Sequence, residues 1–166
     1  MALRRFLAAI MALANVSLAA DDTSNWYPFN TSQKVGVPVA PSVIGMEQWL
    51  DRPAGKHGPV KMAGDHFQFA DGTPVKFWGV NLGNADCRPE KANGAAWAAW
   101  NAKYGVNAVR LHKFIGPDGA GIGSAADSTQ FDPANLDKFD YFTNQLKTNG
   151  IYYGFSWVFE HSVRAG

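Results

Sequence analysis

Strand-like and helix-like segments alternate along the second half of this 166-residue chain. Strand-like runs at 75–82, 106–112 and 151–159 are separated by helix-like segments over 89–104 and 132–149. Such alternation predicts parallel strands that are joined by right-handed crossovers. The turn after the first strand lacks the glycine spacing of a dinucleotide-binding fold. We therefore predict an α/β fold made of the first three βα units of a (β/α)8 barrel of the TIM type, an incomplete barrel.

Local signals predict where both helices begin and end. Pro89 suits the first turn of a helix, and Gly105 suits the left-handed residue that follows one. Asp132-Pro133 predicts the start of the second helix, as N-cap and first helical residue, and Asn149-Gly150 predicts its end. Apolar residues recur at helical spacing, at Trp97, Trp100 and Tyr104 in the first helix and at Leu136, Phe139, Phe142 and Leu146 in the second.

An Asp-Gly pair predicts a β-hairpin ahead of the alternating segments. Polar and apolar residues alternate on both sides of Asp71-Gly72, and this pair tolerates the positive φ of a tight turn. We expect the second arm to continue directly into the strand over 75–82. Residues 20–64 are rich in Pro, Gly, Ser and Asn and predict an irregular arm, with a helical turn near 42–50. The hairpin and the partial barrel are then expected to occupy 65–166.

Residues 1–19 have the layout of a secretory signal peptide. Arg4 and Arg5 precede an apolar run, and Ser17 and Ala19 provide small residues at the positions that a signal peptidase reads. The apolar run is shorter than the ~20 residues that span a bilayer. We expect cleavage after Ala19 and a secreted or periplasmic protein with no membrane association.

Composition argues against several kinds of partner. The 15 Lys and Arg residues balance 14 Asp and Glu residues, so no excess charge predicts nucleic-acid binding. Cys87 is the only cysteine, which excludes an internal disulfide and a multi-cysteine metal site. We predict no metal, because the histidines show no close ligand spacing: His57, His66, His112 and His161. We also expect no cofactor.

One face of each of the first two strands changes from apolar to polar toward the carboxyl end, where barrel enzymes hold their active sites. The polar residues are Asn81 on the first strand and Arg110 and His112 on the second. Each has a structural alternative: a salt bridge for Arg110, a backbone hydrogen bond for His112 and a loop cap for Asn81. Together they predict a binding cleft. The opposite face is expected to contact the helices through Trp78, Val80, Leu82, Val109 and Leu111.

The third strand contributes further candidates whose roles stay open. Gly154 and Ser156 are small enough for a crowded barrel interior, which would place Glu160 at the rim beside them. Trp157 suits either the core or a cleft wall that stacks on a sugar ring. Glu160 and His161 are candidates for an acid–base pair, but adjacent strand residues diverge, which favours a salt-bridged or solvated Glu160.

These segments resemble the opening of family 5 glycoside hydrolases of the cellulase type. The resemblance rests on 69–82 (FADGTPVKFWGVNL) and 103–112 (KYGVNAVRLH), with further similarity over 136–142, 146–152 and 50–58. It implies a (β/α)8 barrel that hydrolyses β-linked polysaccharide or oligosaccharide with retention. It also implies that Arg110 supports the catalytic nucleophile and that Asn81 and His112 belong to the substrate cleft.

The resemblance places the two catalytic glutamates on the fourth and seventh strands, beyond Gly166. Retention needs two carboxyl groups about 5–5.5 Å apart, and only Glu160 lies near the exit of a predicted strand. Val158 also stands where many family members have a histidine. We therefore expect an N-terminal portion of an exported hydrolase that binds carbohydrate and is inactive alone. Two alternatives stay open: a non-catalytic carbohydrate-binding protein, and a half-barrel that assembles with a second chain or self-associates through open sheet edges.

Overall fold

The computed structural model describes residues 22–26, 44–116, 121–127 and 129–156. These residues form a mixed α/β structure with one antiparallel sheet, one parallel sheet and two α-helices. The predicted signal peptide, 1–19, lies outside the described residues. The elements are β1 (Val60–Ala63), β2 (His66–Phe69), β3 (Pro74–Val75), β4 (Gly79–Gly83), α1 (Lys91–Lys103), β5 (Ala108–His112), α2 (Pro133–Thr148) and β6 (Tyr152–Phe155), with 3-10 turns at Glu47–Trp49 and Asn84–Cys87.

The antiparallel sheet has the order β1-β2-β3. Its second turn confirms the predicted hairpin, since Gly72 has a φ of 92° and β3 pairs with β2. The expectation of irregular structure through residue 64 is wrong at β1, which pairs with all four residues of β2. β1 lacks the alternation that marks a strand, because three of its four residues are exposed.

The predicted continuous strand over 75–82 is two strands that belong to different sheets. β3 ends at Val75 and β4 begins at Gly79. Between them, the Asn107 side chain accepts a hydrogen bond from the Trp78 N–H (2.7 Å) and donates one to the Lys76 carbonyl (2.8 Å). The chain therefore changes sheets where a side chain replaces the neighbouring strand as its hydrogen-bond partner.

The parallel sheet has the order β4-β5-β6, as the alternation of strands and helices predicts. Asn81 pairs in register with Arg110, and Arg110 pairs with Gly154. Within the described residues the sheet is open and forms no closed barrel. The third strand is described only as far as its β6 portion and Ser156, so 157–159 of the predicted strand fall outside the description.

The second helix begins and ends as predicted. The Asp132 side chain caps α2 by accepting a hydrogen bond from the Asn135 N–H (2.8 Å), and Pro133 is its first residue. Phe139, Phe142 and Leu146 are buried, so the predicted apolar stripe is confirmed at these positions. Such a stripe fixes which side of the helix faces the sheet.

The first helix differs from its prediction in two respects. It begins at Lys91 after the N-cap Glu90, so Pro89 lies before the helix rather than in its first turn. Its most buried residues include small ones such as Gly94, Ala98 and Ala102, while the predicted aromatic face is only partly buried. The reason is a close helix–helix contact: a Cβ added at Gly94 would lie 3.4 Å from the Tyr141 ring.

The core lies between the helices and one face of the parallel sheet. Val80 and Leu82 pack against it, as predicted, whereas Trp78 is 70% exposed and its predicted contact with the helices is wrong. Trp78 precedes the start of β4, so the alternation of that strand does not determine its direction. The largest fully buried side chains include Val109, Leu111, Phe142, Leu146 and Ile151.

None of the helices in the described part of the chain combines the length and the hydropathy that crossing a membrane requires.

Candidate functional site

Asn81 and Arg110 meet on the face of the parallel sheet opposite the helices. β4 and β5 are parallel and in register at these two residues. The Arg110 Nη1 donates a hydrogen bond of 3.0 Å to the Asn81 Oδ1. Both residues are exposed. The prediction that the two side chains share one face of two parallel strands is therefore confirmed.

A concave hollow of about 600 Å³ surrounds this pair. It exists because Gly154, which pairs with Arg110, and Gly79 and Ala108 on the same face carry little or no side chain. Gly79 is packed so closely that an added Cβ would lie 3.1 Å from the Ala108 carbonyl oxygen, and Gly154 has open space above it. Phe77 and Phe155 supply the aromatic part of the wall. The lining residues are Phe77, Gly79, Val80, Asn81, Ala108, Val109, Arg110, Gly154 and Phe155.

Arg110 is the charged residue of this hollow. A guanidinium carries five N–H donors in a planar fork. One donor is used on Asn81, and Arg110 forms no salt bridge with any Asp or Glu among the residues the structure describes. The site is therefore an apolar surface with one fixed group of donors, which suits a ligand that presents hydroxyl or carboxylate oxygens.

His112 lies at the carboxyl end of β5, in register with Gly83. It is half-buried and is not among the residues that line the hollow. Its backbone carbonyl accepts a hydrogen bond from the Cys87 Sγ (3.5 Å). The structure thus places His112 near the predicted end of the sheet but does not bring it into the site with Asn81 and Arg110.

The third strand contributes only part of the predicted set. Gly154 lies on the face of Arg110, as its small size and parity predict. Ser156 donates its backbone N–H to the Leu111 carbonyl (3.0 Å). The predicted substrate-binding residues Trp157, Glu160 and His161 lie outside the described residues.

Two contacts that the sequence did not predict support the loop after β5. The Gly121 carbonyl accepts hydrogen bonds from the Arg88 Nε (2.8 Å) and the Asn135 Nδ2 (3.2 Å). A Cβ at Gly121 would lie 2.4 Å from the Phe114 carbonyl oxygen, so this position accepts only glycine without rearrangement. These long-range contacts have no local sequence signal.

Cys87 is a poor nucleophile in this environment. Burial raises the pKa of its thiol to about 11, and the Sγ lies 3.5 Å from the carbonyl oxygens of Leu82 and His112. The thiolate is the reactive form of cysteine. At neutral pH the group is therefore a protonated core side chain.

A second hollow, of about 180 Å³, lies at the amino-terminal ends of β5 and β6. Trp49, Asp51, Lys76 and Tyr152 contribute to its wall. The sequence did not predict this hollow, because its walls come from segments that lie far apart in the chain. The available signal was the Trp49-Leu50 pair at the end of the predicted helical turn.

The ring of His57 lies between two carboxylates near this second hollow. The His57 Nδ1 lies 2.6 Å from the Asp71 Oδ2, and its Nε2 lies 3.2 Å from the Asp51 Oδ2. Two hydrogen bonds lower the pKa of the Asp71 carboxyl group to about 2. The larger effect comes from the Thr73 N–H and the next largest from His57. Within the described ranges, no group of three or more His, Cys, Asp or Glu side chains is arranged to hold a metal ion.

Comparison with protein-family models, curated proteins and solved structures finds no match to this chain. The arrangement of its own residues is therefore the basis for assigning a function.

Proposed function

We propose that this chain carries the opening βα units of an exported (β/α)8-barrel glycoside hydrolase, of the family 5 type, that acts on β-linked polysaccharide or oligosaccharide with retention. The observation that carries the proposal is the hydrogen bond between Asn81 and Arg110 on the open face of two parallel strands. Both side chains are polar groups on the face that would line a barrel interior, two residues before the carboxyl ends of their strands, where barrel enzymes hold their active sites.

The arrangement of layers supports the barrel part of this proposal. The helices cover one face of the parallel sheet and bury Val109 and Leu111. The other face carries Gly79, Ala108 and Gly154, which leave room for side chains of further strands. A barrel strand likewise directs alternate residues toward the barrel interior and toward the surrounding helices.

In this proposal Arg110 holds an oxygen-bearing group in the hollow. Its remaining N–H donors suit a sugar hydroxyl or the carboxylate of a catalytic residue. The glutamates of the described residues do not supply that carboxylate: Glu90 accepts a hydrogen bond from Lys138 (2.5 Å), and Glu47 lies in a 3-10 turn. The catalytic pair would therefore come from outside the described residues, and the described ones supply binding and positioning.

The test is a titration of the full chain with cello-, xylo- and manno-oligosaccharides, followed by calorimetry and by NMR. We expect the Arg110 Nε–H signal and the amide signals of Gly79 and Gly154 to shift. Arg110→Ala should weaken binding about tenfold or more. The variant loses the hydrogen bonds from the charged guanidinium to the sugar, and such bonds are stronger than those between neutral groups. Arg110→Lys should restore it only in part, since the planar fork is lost.

Lys61→Ala provides the control. It removes one positive charge from β1, in the other sheet, where the Lys61 Nζ donates to the Ala70 carbonyl (3.2 Å). Its affinity should equal that of the parent chain. The proposal fails if no β-linked oligosaccharide shifts the Arg110 signal, or if Arg110→Ala binds as tightly as Lys61→Ala. Binding by Arg110 in a longer chain that carries all eight strands, without any hydrolysis, would favour the non-catalytic carbohydrate-binding protein.

The edges of the parallel sheet favour a second candidate function, a half-barrel that assembles with another chain. Within the described residues, β4 and β6 each pair only with β5, so each has an unpaired edge. Tyr153 on β6 is 39% exposed, and Trp78 lies beside the start of β4. Unpaired edges with exposed apolar side chains recruit further strands.

A further inference from the structure

We propose that the hollow at the amino-terminal ends of β5 and β6 binds a single sugar ring, with Trp49 as its stacking platform. This site is separate from the Asn81–Arg110 hollow, and the inference does not depend on the proposed hydrolase function. The two hollows are divided by Phe77, which lines the larger one, and Tyr152, which lines the smaller one. Their rings contact edge to face with centroids 5.8 Å apart.

Trp49 is exposed but held by a fixed backbone. Its side chain is 74% exposed, the largest exposed fraction among the large hydrophobic residues of the described chain. The Trp49 N–H donates to the Met46 carbonyl (2.9 Å), and the Met46 N–H donates to the Lys103 carbonyl (2.9 Å) at the end of α1. The turn that carries the indole is thus anchored to a helix, which reduces the ordering that ligand binding would require.

The polar groups around Trp49 suit the hydroxyl groups of a ligand. The hydrogen bond from Lys56 is the largest cause that lowers the pKa of Asp51, so its carboxylate is ionised and accepts hydrogen bonds. Lys76 supplies an ammonium donor on the same wall. Acceptor and donor together match a polyol.

The size and the wall composition narrow the ligand to one ring. The hollow of about 180 Å³ is much smaller than the roughly 300–1,000 Å³ of pockets for drug-sized ligands. Asn107 forms part of the wall but offers few hydrogen bonds to a ligand, because its side-chain amide is already bonded to the backbone of Lys76 and Trp78. An aromatic platform beside hydroxyl-binding groups is complementary to a pyranose, which has an apolar C–H face and polar edges.

The test titrates the full chain with methyl β-glucopyranoside, methyl β-mannopyranoside and methyl β-xylopyranoside. Binding is followed by tryptophan fluorescence and by the NMR signal of the Trp49 indole N–H. We expect at least one sugar to shift that signal. Trp49→Ala should weaken this binding about tenfold. The estimate is taken from proteins that bind nucleobases, in which loss of a stacking aromatic side chain has an effect of this order. Trp49→Tyr keeps a flat ring and should retain most of the affinity, which separates loss of stacking from loss of folding.

Trp78→Ala is the matched control, because it removes another exposed tryptophan that lies outside the hollow. It should leave the affinity unchanged. The inference is wrong if none of the three sugars shifts the Trp49 signal, or if Trp49→Ala binds like Trp78→Ala. Sugar binding that is lost in Arg110→Ala and kept in Trp49→Ala would overturn this inference while supporting the Asn81–Arg110 site.

Discussion

At the scale of single residues, Asp71 fixes the predicted hairpin turn through two contacts. Its Oδ1 accepts a hydrogen bond from the Thr73 N–H (2.9 Å), and its Oδ2 lies 2.6 Å from the His57 Nδ1. The first contact is local and follows from the Asp-Gly turn chemistry that the sequence shows. The second joins the turn to residue 57 of the preceding segment, and no local pattern predicts it.

The charge of Asp71 should make stability depend on pH. Its folded pKa of about 2 is below the ordinary value of 3.8, so its stabilising effect is complete above about pH 5 and is lost as the pH falls through 2. Asp71→Asn keeps an oxygen that can accept the Thr73 hydrogen bond but removes the charge. We expect a lower Tm at pH 7 and a difference from the parent that shrinks toward pH 2.

The measurement is thermal unfolding by circular dichroism across this pH range. Asp65→Asn is the control, since Asp65 is a fully exposed carboxylate 3.1 Å from the neighbouring His66. Its Tm should follow that of the parent at every pH. A difference between Asp71→Asn and the parent that does not change with pH would show that the charge of Asp71 contributes nothing.

The candidate site was predictable at Asn81, Arg110 and Gly154, whereas His112 lies outside the hollow. Strand alternation assigns the face of each residue once the strand is located, and the first three lie inside regular strands. Alternation fails at Trp78, which stands before β4 begins. The hollow around Trp49 depends on contacts between segments distant in sequence, so the residue pattern alone could not reveal it.

At the scale of elements, α2 was predictable because its signals are local. Asp132, Pro133 and the apolar stripe act within the helix itself. The face of α1 was not predictable, because its burial is set by α2: Gly94 and Ala98 allow close approach, and the larger aromatic residues remain partly exposed. β1 was missed for a similar reason, since its pairing with β2 stabilises it while its side chains stay mostly exposed.

Gly150 follows α2 and contacts the segment around Asp51. Its substitution should reduce stability more than substitution of Gly64, a turn glycine in open space. Gly150 has a φ of 81°, and an added Cβ would lie 2.6 Å from the Asp51 carbonyl oxygen. Gly64 has a φ of 65° with nothing within 4 Å of such a Cβ. Gly64→Ala should therefore cost about 1–2 kcal/mol from backbone strain alone. Gly150→Ala should cost at least about 1 kcal/mol more, because backbone must move.

Urea unfolding curves of both variants measure this difference. The midpoint and slope of each curve give the free energy of unfolding of that variant. Equal loss of stability at the two positions would mean that the segment around Asp51 moves aside freely. In that case the contact between Gly150 and Asp51 would not position the wall of the smaller hollow.

At the scale of the whole molecule, the parallel sheet is covered on one side only. The core side buries Phe142, Leu146 and Ile151, whereas the other side carries the open hollow around Arg110. Sequence alternation predicts the parallel order of such strands, but it does not determine what pairs with the outer edges of β4 and β6. What pairs with those edges would distinguish the proposed barrel, which further strands of one chain complete, from the proposed half-barrel, which a second chain completes.

Self-association through these edges would support the half-barrel, and sedimentation at increasing protein concentration measures it. If that candidate is correct, the full chain should form dimers or larger species. Tyr153→Lys, which places a charge on the edge strand β6, should weaken this association about tenfold or more. Phe131→Lys is the control: it replaces a residue that is 52% exposed and lies outside both sheets, so it should associate like the parent. A parent chain that stays monomeric at every concentration would exclude self-assembly as the way this sheet is completed.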